Sequence, residues 1–288
     1  MKSGFLLIDK DASMTSQAVD REVKHRLEEK KVGHLGTLDP FATGLLIIGV
    51  GDATKLFPLL EEEKKTYLAT LKLGSITDTL DPTGKILEEK KITPFDREKA
   101  EKAFRSFLGK QKQIPPKFSA VHINGKRAYQ LAIKDLPVEI REKDIEIYDL
   151  SLISLSENTI TFRATVSKGT YIRSLGRDIA NRLSNLGYLI SLRREKIGEF
   201  DVRDASQLKD ISGSSLISFQ KMTGFPTIQI PDGRILEKAR NGNPLRLADQ
   251  NQPYVFLADE KNTIALYRKE KENNYKCYKG FQHADEKN

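Results

Sequence analysis

Apolar positions along the chain recur at two periods, and the alternation between them predicts interspersed strands and helices. Phe5 to Asp9 begins with an unbroken apolar run and reads as a short buried strand. Thr15-Ser16 then offers an N-cap to a helix through Lys31, with Val19, Val23 and Leu27 on one stripe at i, i+4 and i+8. Gly33 to Gly44 holds three glycines and a proline and is expected to be a loop, leading into a buried strand over Leu45 to Val50. Thr66 to Leu73 places Tyr67, Ala69, Leu71 and Leu73 on one face at period two, the signature of a half-buried strand. Asp96 to Leu108 returns to the helical period, with Ala100, Ala103, Phe104, Phe107 and Leu108 covering one side.

Pro115-Pro116 interrupts the pattern, Phe118 to Ile123 is expected to be extended, and Asn124-Gly125 is a hairpin-type turn. Val138 to Leu155 and Thr159 to Ser167 alternate like paired strands, and Tyr171 to Leu183 reads as a helix. The class is therefore α/β or α+β, with a substantial mixed sheet. Near Gly224-Phe225-Pro226 the texture changes. Beyond it, Tyr254 to Ala258, Thr263 to Tyr267 and Tyr275 to Tyr278 are short strand candidates between polar turns. A large unit over 1–226 and a small β-rich unit over 227–288 are expected, in keeping with the 288-residue length.

The longest apolar run, Gly44 to Val50, is far shorter than the roughly 20 residues of a membrane span, so no membrane partner is expected. The first residues lack the pattern of a secretion signal, and the lone Cys277 fits a reducing compartment. The chain is expected to be cytoplasmic and monomeric. Its net charge of +8 permits a polyanionic partner. Distribution says more than size. Between Lys168 and Lys196 there are seven basic residues (Lys168, Arg173, Arg177, Arg182, Arg193, Arg194, Lys196) against Asp178 and Glu195. Five of the seven are arginines, the side chain suited to bidentate phosphate or carboxylate contact.

Several chemistries have no motif to carry them. His25, His34, His122, His283 and Cys277 form no metal-ligand spacing. Phosphate-binding glycine motifs and the serine-hydrolase elbow are missing from the sequence, so no metal and no cofactor are expected. The most unusual stretch is Gly33-His34-Leu35-Gly36-Thr37-Leu38-Asp39-Pro40-Phe41-Ala42-Thr43-Gly44. Its glycines allow close backbone approach, and Pro40 restricts Asp39 to extended geometry, so Asp39 could serve as nucleophile or base. Thr79-Leu80-Asp81-Pro82 repeats the tetrapeptide with polar flanks, and there Asp81 reads as an ordinary loop carboxylate.

The Asp39 loop resembles the catalytic motif of the TruB family of tRNA pseudouridine synthases, and further motifs follow in that family's order. Lys65-Thr66-Tyr67, Thr77-Asp78-Thr79-Leu80-Asp81-Pro82-Thr83-Gly84 and Gln113-Ile114-Pro115-Pro116-Lys117-Phe118-Ser119-Ala120 each resemble a family element. Gly125-Lys126-Arg127-Ala128-Tyr129, Ser167-Lys168-Gly169-Thr170-Tyr171-Ile172-Arg173 and Leu192-Arg193-Arg194 continue the series. Two departures stand out. Asp9 to Ser16 reads D-K-D-A-S-M-T-S where the family has D-K-P-x-G-x-T-S, and His122 occupies a position where lysine is common.

The resemblance implies an α+β pseudouridine-synthase catalytic fold with a central mixed or antiparallel sheet flanked by helices, a small β-rich carboxyl-terminal PUA-like RNA-binding domain, and isomerisation of a uridine in the TΨC stem-loop of tRNA. It implies that Asp39 is the essential carboxylate, acting as nucleophile at ribose C1′ or as base at C2′. Arg173 would be its ion-pair partner, Tyr67 and Tyr171 would contact the flipped uracil, and Leu192 would line the pocket. His34 would help fill the space the base leaves, since a uridine inside a folded loop must be extruded. Lys168, Arg177, Arg193 and Arg194 are the candidates for RNA-phosphate contacts. A non-catalytic RNA-binding or tRNA-folding protein on the same scaffold is the main alternative, and a hydrolase using paired carboxylates is a second.

Overall fold

The apolar run at the amino terminus is explained by burial on both faces of a sheet. The computed structural model describes residues 3–118, 141–231, 233–247 and 250–281, with the backbone of 122–123 and 126–127. The chain starts with β1 (Gly4–Lys10), α1 (Ser16–Leu27), β2 (Val32–Leu35), β3 (Thr43–Val50), the short α2 (Phe57–Leu60) and β4 (Lys65–Leu73). Next come β5 (Ser75–Thr77), β6 (Ile86–Glu89), α3 (Arg97–Arg105), β7 (Gly109–Gln113), β8 (His122–Ile123) and β9 (Lys126–Arg127). Then follow β10 (Lys143–Leu155), β11 (Thr159–Val166), α4 (Ile172–Arg182), β12 (Gly187–Ile197), β13 (Phe200–Asp201), β14 (Ser206–Gln207) and α5 (Phe219–Thr223). The remainder holds β15 (Thr227–Gln229), α6 (Arg234–Arg240), β16 (Leu245–Arg246), β17 (Tyr254–Ala258), β18 (Thr263–Lys271) and β19 (Asn274–Gly280).

Among the described residues ten strands form one mixed sheet, ordered β14-β1-β3-β12-β4-β11-β10-β7, with β2 on β3 and β13 on β12. The pairings are antiparallel except β1 with β14 and β3 with β12. Leu6 and Ile8 meet Val19, Val23 and Leu27 of α1 on one side of the sheet. Phe5 and Leu7 turn to the other side and meet Phe219, Phe256, Leu266 and Phe281. At the other end, α3 and α4 cover the face built from Leu71, Ile147, Phe162 and Leu189. A second sheet, β15-β17-β18-β19-β16, begins at Thr227 and shares the phenylalanine cluster with β1 and β3.

Several elements differ from the sequence reading. Helix α1 stops at Leu27 rather than Lys31, because Glu28 adopts a left-handed conformation (φ 55°) and donates its N–H back to His25 and Lys24. Part of the expected glycine loop is strand: Val32–Leu35 pairs with Ile47–Val50. Leu108 is exposed instead of covering a helix face, since α3 ends at Arg105. Strand β12 at the centre of the sheet and helix α6 in the carboxyl-terminal region were not expected. Most of the extended stretch expected at Phe118 to Ile123, its Asn124-Gly125 turn and the residues before 141 lie outside the described residues, apart from the β8–β9 pairing.

Candidate active site

Asp39 sits between β2 and β3, where the parallel β3–β12 pair joins the two halves of the sheet. Its loop is anchored from the amino-terminal region. Ser16 Oγ accepts from the Leu38 N–H (3.0 Å) and donates to the Leu38 carbonyl (3.2 Å), while the Ser13 N–H donates to the Pro40 carbonyl (2.8 Å). Lys10 Nζ donates to the carbonyls of Met14 (2.7 Å) and Asp11 (2.8 Å) and reaches toward that of Pro40 (3.4 Å). Ser13 has φ 67°, the left-handed region, at the position where the resembled motif carries glycine. The turn is thus kept in spite of the sequence departure. Gly44 is required more strictly: at φ 103°, a Cβ would collide with the Arg194 backbone on β12.

Arg173, in the first turn of α4, binds two carboxylates. Its Nε lies 2.9 Å from Asp39 Oδ2 and its Nη2 donates to Asp39 Oδ1 (3.1 Å), a bidentate pair. Its Nη1 donates to Asp81 Oδ2 (3.3 Å) and to the Thr79 carbonyl (2.7 Å), and Nη2 also donates to the Phe118 carbonyl (3.0 Å). The guanidinium is 4% exposed, so its orientation is fixed by these partners and not by solvent.

Asp81 therefore corrects the sequence reading: it is buried, and Arg173 joins it to Asp39 from 92 residues away. Its other oxygen accepts from Thr79 Oγ1 (2.7 Å), the Thr83 N–H (2.9 Å) and Thr83 Oγ1 (2.5 Å). Leu80 takes a left-handed φ of 61° immediately before it. The two aspartates differ in availability. Asp81 has both oxygens engaged and 7% of its side chain exposed, whereas the Asp39 side chain keeps 33% open. Burial pushes the Asp39 carboxyl upward; Arg173 opposes that push and Asp81 reinforces it, and the net direction is up.

Asp39 opens into a cavity of about 320 Å³ that Tyr67, Tyr171, Arg173 and Leu192 also line, together with Lys65 and Arg194. Sheet register brings several of them together, since Arg194 stands opposite Tyr67 and Leu192 opposite Ala69. Tyr171 is held by a residue that received no separate role in the sequence reading. The Gln113 amide accepts from the Tyr171 N–H (2.8 Å) and donates to the Tyr171 carbonyl (3.1 Å), fixing the residue that caps α4. His34 is not part of the cavity wall; Nδ1 lies 2.7 Å from Asp20 Oδ2 and Nε2 2.9 Å from Oγ1 of Thr37, which does line it. Buried Lys65 donates to the carbonyls of Glu61 and Glu63, and burial with Arg194 nearby brings its ammonium down to about 8.

The basic stretch is largely committed within the protein. Lys168 pairs with Glu61 (2.6 Å) and Glu62 (3.0 Å), Arg177 with Asp178 (2.8 Å), and Arg193 with Asp9 (2.7 Å). Arg194 is 1% exposed and donates to the carbonyls of Leu45 (2.7 Å) and Gly36 (2.9 Å). It is an internal brace between β12 and the Asp39 loop rather than a surface phosphate contact, because a central strand buries it. Among the described residues no group of three or more potential ligands could hold a metal ion, and no helix is long and apolar enough to cross a membrane.

Known proteins resemble the chain over most of its length. The model of the TruB family of pseudouridylate synthases (amino-terminal domain) matches residues 24–172. A tRNA pseudouridine synthase B from Borreliella afzelii is 36% identical over 279 residues, covering 96% of this chain and 98% of the relative. One from Onion yellows phytoplasma is 39% identical over 277 residues, covering 95% and 98%. A chain from an H/ACA RNP solved with a substrate RNA containing 2′-deoxyuridine shares the fold, with a TM-score of 0.69 at 21% identity over 98% of this chain and 86% of that one. Fold and sequence matches together make this a pseudouridine synthase. Within that class, the chain belongs to the TruB family.

Proposed function

We infer that this protein isomerises a uridine of the TΨC stem-loop of tRNA, position 55, to pseudouridine. The observation that carries this reading is the partly open Asp39 carboxylate, bound bidentately by a buried Arg173 whose far edge is held by Asp81. Isomerisation breaks the bond from ribose C1′ to uracil N1, rotates the base and rejoins it through C5. Atoms are conserved and no oxidant is consumed. Whether Asp39 attacks C1′ or removes the C2′ proton, it must be ionised and aimed, and Arg173 serves both needs. Tyr67, Tyr171 and Leu192 form the walls against which the extruded base would rest, offsetting the few kcal/mol of unstacking. The names of the relatives support tRNA as the substrate.

In this reading residues 227–288 are a PUA-like domain that adds RNA contact, and Lys168, Arg177 and Arg193 exchange their carboxylate partners for phosphates. The protein acts as a cytoplasmic monomer. The test uses tRNA transcript tritiated at uridine C5, with the intact protein and Asp39→Asn. Isomerisation at C5 releases tritium, and the wild type is expected to release it while Asp39→Asn binds the tRNA without release. No release by the wild type overturns the reading, and free uracil would point instead to hydrolysis.

A further inference from the structure

Helix α1 touches the Asp39 loop at two places on one face. Ser16 grips Leu38, and Asp20, four residues on, reaches His34. The resembled motifs and the comparisons assign nothing to Asp20. We propose that Asp20 is a positioning residue for His34, fixing which imidazole nitrogen carries hydrogen and which faces Thr37 at the cavity edge; this rests on the pseudouridine-synthase reading for its effect on turnover.

The chemistry of the partners determines the assignment. A carboxylate only accepts, so the Nδ1 that lies 2.7 Å from Asp20 Oδ2 carries a hydrogen in either charge state of the ring. In the neutral ring Nε2 is then an acceptor, and the Thr37 hydroxyl 2.9 Å away is its donor. Both side chains of the pair are largely enclosed, His34 at 14% and Asp20 at 13% exposure, so the ring plane has little freedom. Asp20 Oδ1 is buried without a hydrogen-bond partner. The chain Asp20–His34–Thr37 ends on a residue that lines the cavity beside Asp39.

The experiment compares wild type, Asp20→Ala and Asp20→Asn with nitrogen-15-labelled histidine. Four histidines are present, and His34→Gln identifies the His34 signals. Above neutral pH, wild type is expected to give the Nδ1–H form, Asp20→Asn to keep it through its amide oxygen, and Asp20→Ala to shift to Nε2–H. Asp20→Ala is also expected to lose about tenfold in kcat/KM for tRNA, the scale of a misplaced positioning group, with Asp20→Asn recovering most of it. A purely structural role would lower the melting temperature without changing the tautomer. An unchanged tautomer in Asp20→Ala, or a changed tautomer with wild-type turnover, overturns the proposal. Failure of the functional reading is separate, because then the wild type itself would release no tritium.

Discussion

Replacing Asp81 separates its charge from its hydrogen bonds. Asp81→Ala removes four acceptor contacts, one to Arg173 and three to Thr79 and Thr83. Removing one member of a buried ion pair costs about 3–5 kcal/mol. Arg173 keeps Asp39 and the carbonyls of Thr79 and Phe118, so the lower end, about 3 kcal/mol, applies here. Asp81→Asn retains an oxygen for the Thr79 and Thr83 donors and should cost only about 1–2 kcal/mol. The catalytic effect follows the charge instead. Without the second carboxylate Arg173 loses its fixed far edge, and kcat should fall about tenfold in both variants.

The pH profile carries the sharper consequence. Asp81 is one of the influences that raise the Asp39 carboxyl. Removing its charge lowers that group, so the acid limb of kcat/KM moves to lower pH even as kcat falls. Tritium release across a pH series gives both quantities, and denaturant unfolding gives the stabilities. If both variants keep wild-type kcat and an unmoved acid limb, Asp81 does not hold Arg173 for Asp39. An acid limb that moves up with a reduced kcat would mean that Arg173 leaves Asp39 once Asp81 is gone, which supports the bridging arrangement and refutes only the expected direction of the shift.

Three further outcomes follow from the same geometry. Arg194→Met should cost about 2 kcal/mol in unfolding experiments, by stranding the buried Leu45 carbonyl, and leave the salt dependence of tRNA binding unchanged; Arg193→Ala should instead reduce that salt slope by about one. Ser13→Gly should stabilise the protein by up to about 1 kcal/mol without altering tritium release, because the left-handed backbone there favours glycine. Lys65, at about 8 in the folded chain against 10.5 when free, binds its proton less readily folded than unfolded, so stability should rise as pH climbs from 8 to 10.5, by about 3 kcal/mol. The climb should shrink in Lys65→Met.

Elements that bury one face in a regular period were legible from sequence, as with Val19, Val23 and Leu27 or the alternation from Tyr67 to Leu73. Strand β12 was not, because irregularities at Ile190 and Glu195 break its alternation and its charged residues imitate a surface segment. Arg194 was misread for that reason: its burial comes from neighbours on both sides of the strand, which no local pattern records. The Asp39 loop was legible because glycines and a proline crowd around one carboxylate. Asp81 carried the same tetrapeptide, but its role depends on Arg173 reaching it across the fold, a relation that sequence spacing does not encode.

The same distinction explains how an acidic pair can work at a site that must receive a polyanion. Asp39 and Asp81 together outweigh Arg173 by one charge. Lys10, Lys65 and Arg194 stand close by, all buried, and each directs its hydrogen bonds to backbone carbonyls. Their hydrogen bonds commit them to the fold, yet their fields persist in a poorly screened interior. Lys10 acts on Asp39 in this manner, opposing the upward push of burial, and burial in turn brings Lys10 down to about 8. Lys10, Lys65 and Arg194 thus place positive charge around Asp39 while their hydrogen bonds to the backbone keep them from competing with Arg173 for it. That is electrostatic preorganisation: the charges that favour RNA approach are fixed before the RNA arrives, and the carboxylate left partly open is Asp39.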